Sequence, residues 1–443
     1  MEIALANNLQ VKQSEFQSQN AAIALRQAKS NLLPDLSANI SQGLNQGRSI
    51  DPFTNGYVNQ NVDYASYSLN GGITLFSGLI LRNQIKQNSY DYQASKMEQQ
   101  QAKDNLTLKV IITYFQILNN EDQLNQAQLQ AEVTRKQLDR LQILNKEGAI
   151  LPAQLSDLRG QLANDELSLI NSRNSLNSSK IALAELMNIS YNRDFGVERM
   201  PGQELLEKQE NSPDQIYNLA LEQLASIKGA ALRKRSAAQG IRVARGFNAP
   251  QLSLTSNYFS NYSSAAMGSR LISTHDVATS NFVELNGAKV PVMSTQNIFE
   301  SSKIAYNNQL RNNYSSSFRL GLSIPIFNTV RARNRIALAK IDLDNAELAE
   351  ETTKLQLKQA VDLAWFNKVA ADERLNALNR QVLAFKESFH SAEVRFNAGV
   401  GTVVDYTIAK NNLDRANINL INARYDSVLR SKILDYYEGD LSF

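Results

Sequence analysis

The chain has 443 residues, and its 46 basic and 43 acidic side chains leave no electrostatic case for nucleic acid. Cysteine is absent, which excludes disulfides, thiolate metal sites and cysteine nucleophiles. The longest apolar stretch, around Val110 to Leu118, is interrupted by Thr113 and Gln116 and falls short of the roughly 20 residues a spanning helix needs.

In chain order, the segment from Met1 to Asn8 shows no basic region followed by an apolar core, so no signal peptide is visible. A first helix is followed by Pro34 and a run that alternates Leu36, Ala38 and Ile40 with Ser37, Asn39 and Ser41. The run before Phe76 alternates in the same way, with Tyr67, Leu69, Ile73 and Leu75 opposed to Ser68, Asn70 and Thr74. Period two predicts a hairpin over residues 35–76. Residues 79–147 then run without proline or glycine, and at 1.5 Å per residue a helix of this length spans roughly 100 Å. Its apolar residues recur in sevens at Val110, Ile117, Leu124, Ala131 and Leu138, and the next helix, residues 152–189, continues with Leu155, Leu162, Leu169, Leu176 and Leu183. That period signals left-handed supercoiling.

The second half repeats the first. An offset of 216 aligns Pro34-Asp35-Leu36-Ser37 with Pro250-Gln251-Leu252-Ser253, and an offset of 251 aligns Phe76 with Phe327 and Gly148 with Gly399. The predicted organisation is therefore a first repeat over residues 1–190, a connecting segment over 191–212, a second repeat over 213–438 and a tail over 439–443. The second repeat carries a hairpin over 250–327 and two long helices over 330–397 and 402–438. Its excess of 35 residues lies wholly in the hairpin, as a long polar outer loop over 263–313. Ser212-Pro213-Asp214 is a strong helix start, and its first-copy counterpart would precede Met1. The expectation is that the native start, with any targeting signal, is missing from this chain.

Four strands cannot close a barrel alone, and open edges are a liability. Membranes accept strands only as closed barrels that are apolar outside and polar within. Three chains of four strands would give twelve. Aromatics near the strand ends (Phe53, Tyr57, Tyr64, Tyr258, Tyr262 and Tyr314) suit an interfacial girdle.

The segment Arg395-Phe396-Asn397-Ala398-Gly399-Val400-Gly401-Thr402-Val403-Val404-Asp405, continuing through Ala409, Leu413, Ala416 and Ala423-Arg424-Tyr425, resembles the tip turn and returning helix of the TolC-like outer-membrane efflux proteins. Leu33-Pro34-Asp35-Leu36, Ile73-Thr74-Leu75-Phe76-Ser77-Gly78 and Ile324-Pro325-Ile326-Phe327 add to the resemblance, which covers nearly the whole chain. It implies a mostly α chain with a β-barrel contribution. Three such chains would form a homotrimer, with a twelve-stranded barrel in outer-membrane lipid continuous with a twelve-helix periplasmic tunnel. It also implies partners: a periplasmic adaptor protein and an inner-membrane pump. Cargo would leave through the duct by efflux or type I secretion.

By the same resemblance, Asp405 would form a carboxylate ring at the periplasmic constriction, with Phe396 close by; Asp157, the first-copy counterpart of Ile408, would add charge from the neighbouring helix. Asp405 also reads more simply as an acid in the first turn of a helix. Family members often carry a second acid where Ile408 stands, and a tyrosine where Phe396 stands. A less acidic constriction, with no hydroxyl link there, is therefore expected. Gly148, Asn397 and Gly399 would form the tip turns and the adaptor docking points. Pro34, Phe76, Gly78, Pro250, Pro325 and Phe327 would mark the junction of barrel and helices.

No enzyme is expected. His275 and His390 are the only histidines, neither in a metal-ligand or triad-like setting, and glycine-rich phosphate loops are absent. No metal site or cofactor is called for. The rival reading is a soluble coiled-coil scaffold.

Overall fold

The structure, a computed structural model, describes residues 1–51, 55–192, 195–199, 211–327 and 330–440. Most of the expected connecting segment, the end of the tail and Phe53 lie outside the described residues. In chain order the elements are α1 (Glu2–Asn7), α2 (Leu9–Ser30), β1 (Asp35–Asn45), β2 (Arg48–Ile50), β3 (Tyr57–Asn59), β4 (Val62–Ser77), α3 (Ile80–Lys146) and α4 (Pro152–Met187). There follow α5 (Pro213–Gln223), α6 (Ala225–Gly246), β5 (Gln251–Ser263), β6 (Met267–Leu285), β7 (Ala288–Lys303), α7 (Tyr306–Asn312), β8 (Ser315–Ser323), α8 (Arg331–Asn397) and α9 (Val403–Glu438). The matched segments have equal lengths: α2 and α6 have 22 residues each, α3 and α8 have 67, and α4 and α9 have 36.

The chain divides into two compact units. The first comprises Met1–Leu25, Lys86–Ile241 and Ala337–Phe443, and is helical. Its core is a series of seams. Ala4, Val11, Leu106, Val110, Ile117 and Leu183 form one cluster, and Ala220, Ile227, Leu357, Val361 and Leu434 occupy corresponding positions in another. Burial of such side chains stabilises by about 1.5–3 kcal/mol each, so the seven-residue spacing is what holds the helices together.

The expected first helix of each half is in fact two helices. Asn8 separates α1 from α2, and its side-chain oxygen accepts from the backbone N–H of Gln10 and Val11, capping α2. Leu224, extended at ψ 132°, separates α5 from α6. Ser212 caps α5 in a reciprocal capping box with Gln215, as its sequence suggested.

The second unit, Arg26–Ile85 with Arg242–Ile336, holds an open four-stranded antiparallel sheet in the order β1-β4-β5-β8. Register puts Leu36, Ala38, Ile40, Leu69, Ile73, Leu252, Leu254, Tyr258, Phe318, Leu320 and Leu322 on one face. The opposite face carries Ser37, Asn39, Ser41, Ser68, Asn70, Thr74, Ser253, Thr255, Asn257, Ser317 and Arg319. Asn70 and Asn257 hydrogen-bond across that polar face at 2.6 Å. The apolar face lies bare: Leu36 is 71 %, Ile40 75 % and Phe318 67 % exposed. Expected strand at Ile324–Ile326 is not found, because β8 ends at Ser323 ahead of Pro325, which has no N–H to donate.

The expected outer loop is ordered structure. β6 and β7 form their own antiparallel hairpin, closed by Asn286-Gly287 at φ 52° and 81°. Both central residues at positive φ is the geometry of a type I′ turn, which matches the strand twist. Two bulges, at Leu271/Ser273 and Ala278/Phe282, break the alternation that would have revealed it.

At the strand-to-helix junction Gly78 has φ 61°, and an added Cβ would lie 2.5 Å from the Gly246 carbonyl oxygen. Leu79 and Val330, the residues that open the turns into α3 and α8, both adopt positive φ, at 64° and 66°. Pro34 and Pro250 immediately precede Asp35 and Gln251, where β1 and β5 begin. Phe76 lies in β4, opposite Leu252, just past a register shift. Phe327 is 81 % exposed beyond β8.

Candidate functional site: the helical tip

Two tight turns end the long helices. In the first, Gly148 at φ 73° lets α3 stop, with Ala149 N–H donating to the Leu144 carbonyl at 2.8 Å. Pro152 at the first position of α4 needs no N–H there. In the second turn Gly399 takes φ 77°, and the N–H groups of Val400 and Gly401 both donate to the Arg395 carbonyl at 3.0 Å. The left-handed conformation is strained for residues with a Cβ, which explains both glycines. Gly401 has a different reason: a Cβ there would lie 3.0 Å from the Phe396 nitrogen and 3.1 Å from the Arg395 carbonyl carbon. Neither its role nor that of Arg140 was read from the sequence.

Arg140 ties α3 to the second turn. Its guanidinium donates to the Asn397 side-chain oxygen and, at 3.3 Å, to the Asn397 carbonyl. Beneath them Leu138, Leu141, Leu155, Leu158 and Val403 form a buried cluster, with Phe396 against it. Phe396 packs on Tyr406 with ring centroids 5.1 Å apart, and Phe389 also meets Tyr406, at 5.4 Å. Tyr406 is buried, and burial, with Glu393, Asp414 and Asp165 nearby, pushes its phenol up to about 12. Phe396 therefore closes an aromatic cluster, for which no hydroxyl is needed.

Asp405 is exposed in the first turn of α9. Thr402 caps that helix by accepting from the Asp405 N–H at 3.1 Å, and the Thr402 hydroxyl donates to the Asp405 carboxylate at 2.8 Å. The carboxylate thus stands at the positive end of a helix, held but open to solvent. Asp157 is exposed on α4, and among the described residues no hydrogen bond or ion pair joins it to Asp405. The second turn brings Phe396, Asn397, Gly399 and Asp405 together, and Arg140 ties Asn397 to α3. Among the described residues no cluster of His, Asp or Glu could hold a metal ion, and no helix is long and apolar enough to cross a membrane.

The chain resembles the outer membrane protein TolC of Vibrio cholerae serotype O1, with 24 % identity over 99 % of this chain and 89 % of that protein. TolC of Escherichia coli K12 is 23 % identical over 96 % of this chain and 78 % of its own length. Among solved structures, the outer membrane protein VceC of Vibrio cholerae superposes with a TM-score of 0.78 at 16 % identity, covering 99 % of this chain and 95 % of VceC. The Campylobacter jejuni CmeC outer membrane channel gives 0.76 at 17 % identity, over 99 % and 84 % of the two chains. These structural likenesses establish the fold. A family model for outer membrane efflux proteins matches residues 1–188 and 216–435, and on that match the chain belongs to the outer membrane efflux protein family.

Proposed function

We propose that this chain is one third of an outer-membrane exit duct, through which cargo of an efflux or secretion system leaves the cell. The observation that carries this reading is the sheet. A bare apolar face, a Ser- and Asn-rich opposite face and two open edges are what a soluble sheet avoids and a barrel segment requires. Three copies, each supplying four strands, would close a twelve-stranded barrel with the polar face inward. The long helices would continue it as a periplasmic tunnel. The equal lengths of α3 and α8, and of α4 and α9, support a chain built as two copies of one unit. The family's mode of working, with a periplasmic adaptor and an inner-membrane pump, extends to this chain as part of the proposal. Gly148, Asn397 and Gly399 lie at the exposed turns such an adaptor would meet.

At the tip, three Asp405 carboxylates around a threefold axis would favour cations. Asp405→Asn in planar-bilayer recordings should lower cation-over-anion selectivity while leaving trimer assembly intact. Unchanged selectivity would remove Asp405 from the constriction. Absence of a heat-modifiable trimer and of any pore in the unaltered protein would return the chain to the soluble-scaffold reading.

A further inference from the structure

The four-stranded sheet carries a helix that the duct reading does not use. Past Phe259, where β8 no longer pairs with β5, α7 takes the place of the strand. Gln309, buried in the helix, supplies the missing bonds. Its amide donates to the Ser263 carbonyl at 2.9 Å and accepts from the Ser263 N–H at 2.9 Å. Asn313 donates to the Asn261 carbonyl at 2.8 Å, and the Ser260 hydroxyl donates to the Leu310 carbonyl at 2.7 Å. A helix of seven residues is marginal by itself; these bonds hold it and satisfy the edge of β5 together.

Register states which face α7 covers. Tyr67 pairs with Ser260 and Ala65 with Tyr262, on the face that holds Leu69, Leu254 and Tyr258. Tyr306 of α7 hydrogen-bonds the Tyr67 hydroxyl and packs on Tyr262 with ring centroids 4.8 Å apart. Tyr314, just after the helix, meets Tyr258 at 6.3 Å, and Tyr258 meets Phe318 edge-on at 5.8 Å. The helix therefore leans over the apolar face and not over the Ser- and Asn-rich one. Tyr306 and Tyr314 are nonetheless 42 % and 59 % exposed.

Height along the strand agrees. Leu252 and Tyr262 lie ten residues apart on β5. At about 3.3 Å per residue and a tilt of about 40°, that stretch rises roughly 25 Å, the height of the apolar band of a membrane barrel. The tyrosines thus end the band, and α7 stands where headgroups begin. Asn307, Asn308, Arg311 and Asn312 are exposed there, with Lys303 just ahead of the helix. Among the described residues no carboxylate pairs with Arg311 or Lys303, and Asp63, at the start of β4, is an exposed acid on the same face.

We propose that α7 is a lipid-binding bracket on the outer wall of the barrel, in which Tyr306 and Tyr314 mark the edge of the apolar band and Arg311 binds the phosphate of a lipid headgroup. This rests on the duct reading, which puts the strand ends remote from the long helices at the outer leaflet. The occupant is a lipid because apolar and aromatic side chains lie below the helix while amides and unpaired cations lie on it. Gln309 keeps the arginine at a fixed depth.

The chain has no cysteine, so Ile40→Cys, Ser294→Cys and Asn308→Cys, all at exposed positions, each accept one nitroxide label. Trimers are placed in phosphatidylcholine–phosphatidylglycerol vesicles containing a nickel-chelating lipid, whose metal relaxes labels at headgroup depth. The label at 308 should respond most to that lipid, the one at 40 to oxygen, and the one at 294 to a water-soluble nickel complex. Mass spectrometry of intact trimers then reads retention of phosphatidylglycerol over phosphatidylcholine. Arg311→Gln should lower it about fivefold per site, the worth of one cation near a lipid surface, and Arg311→Lys should keep most of it. A label at 308 that behaves like the one at 294 would overturn the proposal. So would a label at 308 that no reagent reaches, because a neighbouring subunit then covers α7, and so would unchanged retention in Arg311→Gln. A label at 40 that reads as water brings down the duct reading and this proposal with it, whereas a lipid-facing 40 beside a water-facing 308 brings down this proposal alone.

Discussion

Gly78→Ala and Gly148→Ala make a matched pair that separates two physical effects. Both glycines hold the left-handed conformation, at φ 61° and 73°, so either substitution incurs about 1–2 kcal/mol of backbone strain. At Gly148 an added Cβ meets nothing within 4 Å, and strain is the whole effect. At Gly78 the same atom would lie 2.4 Å from the Ala249 Cβ and 2.5 Å from the Gly246 carbonyl oxygen. Backbone would have to withdraw by roughly 1 Å to reach ordinary contact, adding about 1–3 kcal/mol as overpacking does. Gly246 cannot give way cheaply, because its own Cβ position is 2.5 Å from Ile80 and 2.8 Å from the Gly78 oxygen. Gly78→Ala should therefore cost about 2–5 kcal/mol and reduce the yield of heat-modifiable trimer, while Gly148→Ala should leave assembly intact with a small fall in Tm. Thermal unfolding followed by circular dichroism, with gel migration before and after boiling, reads both. Equal Tm shifts for the two variants would refute the close backbone crossing at Gly78.

Glu350 on α8 accepts from Lys234 of α6 at 2.6 Å and from Lys354 at 2.7 Å, and these partners hold its carboxyl below the usual range. A lowered folded value means the stabilisation is present above about pH 4.5 and is lost as pH falls through that lower value. Glu350→Gln should cost about 1–2 kcal/mol at pH 7, with a penalty that shrinks in acid denaturation below pH 4; a penalty constant with pH would contradict the pairing. Replacing residues 267–303 by a short Gly-Ser linker between Ala266 and Ile304 should leave trimer migration unchanged, because β5 and β8 pair without them. Loss of the trimer would show that the hairpin takes part in assembly.

The long helices were legible because nothing in residues 79–147 or 330–397 can break them and the seven-residue recurrence states which side is buried. Gly148, Pro152, Gly399 and Thr402, at the ends of these helices, each have a local reason to sit where they do. The breaks at Asn8 and Leu224 were missed, although Asn8 is a good capping residue, because the apolar spacing continues across them. β6 and β7 were missed for a different reason. Their apolar residues fall on both faces, so Phe282, Met293 and Phe299 share a side with Asp276 and Thr295, and no clean alternation survives the bulges. Asn286-Gly287 was the available signal. Lys410 and Asp165 lie 245 residues apart, and only helix packing reveals them as partners. Asp405 could be picked out by resemblance, whereas its hydroxyl partner Thr402 required the geometry of the cap.

The identical lengths of α3 and α8, 67 residues each, and of α4 and α9, 36 each, impose a rule on what can change. One inserted residue turns everything beyond it by about 100° and advances it by about 1.5 Å, so every seam past that point would face the wrong way. A helix here behaves like a threaded rod, in which only whole repeats of seven can be added without losing the fit. The turn at Asn286-Gly287 obeys no such rule, since its neighbours are tied mainly to each other. A tag or epitope placed there would be read from solution without disturbing the register of any helix.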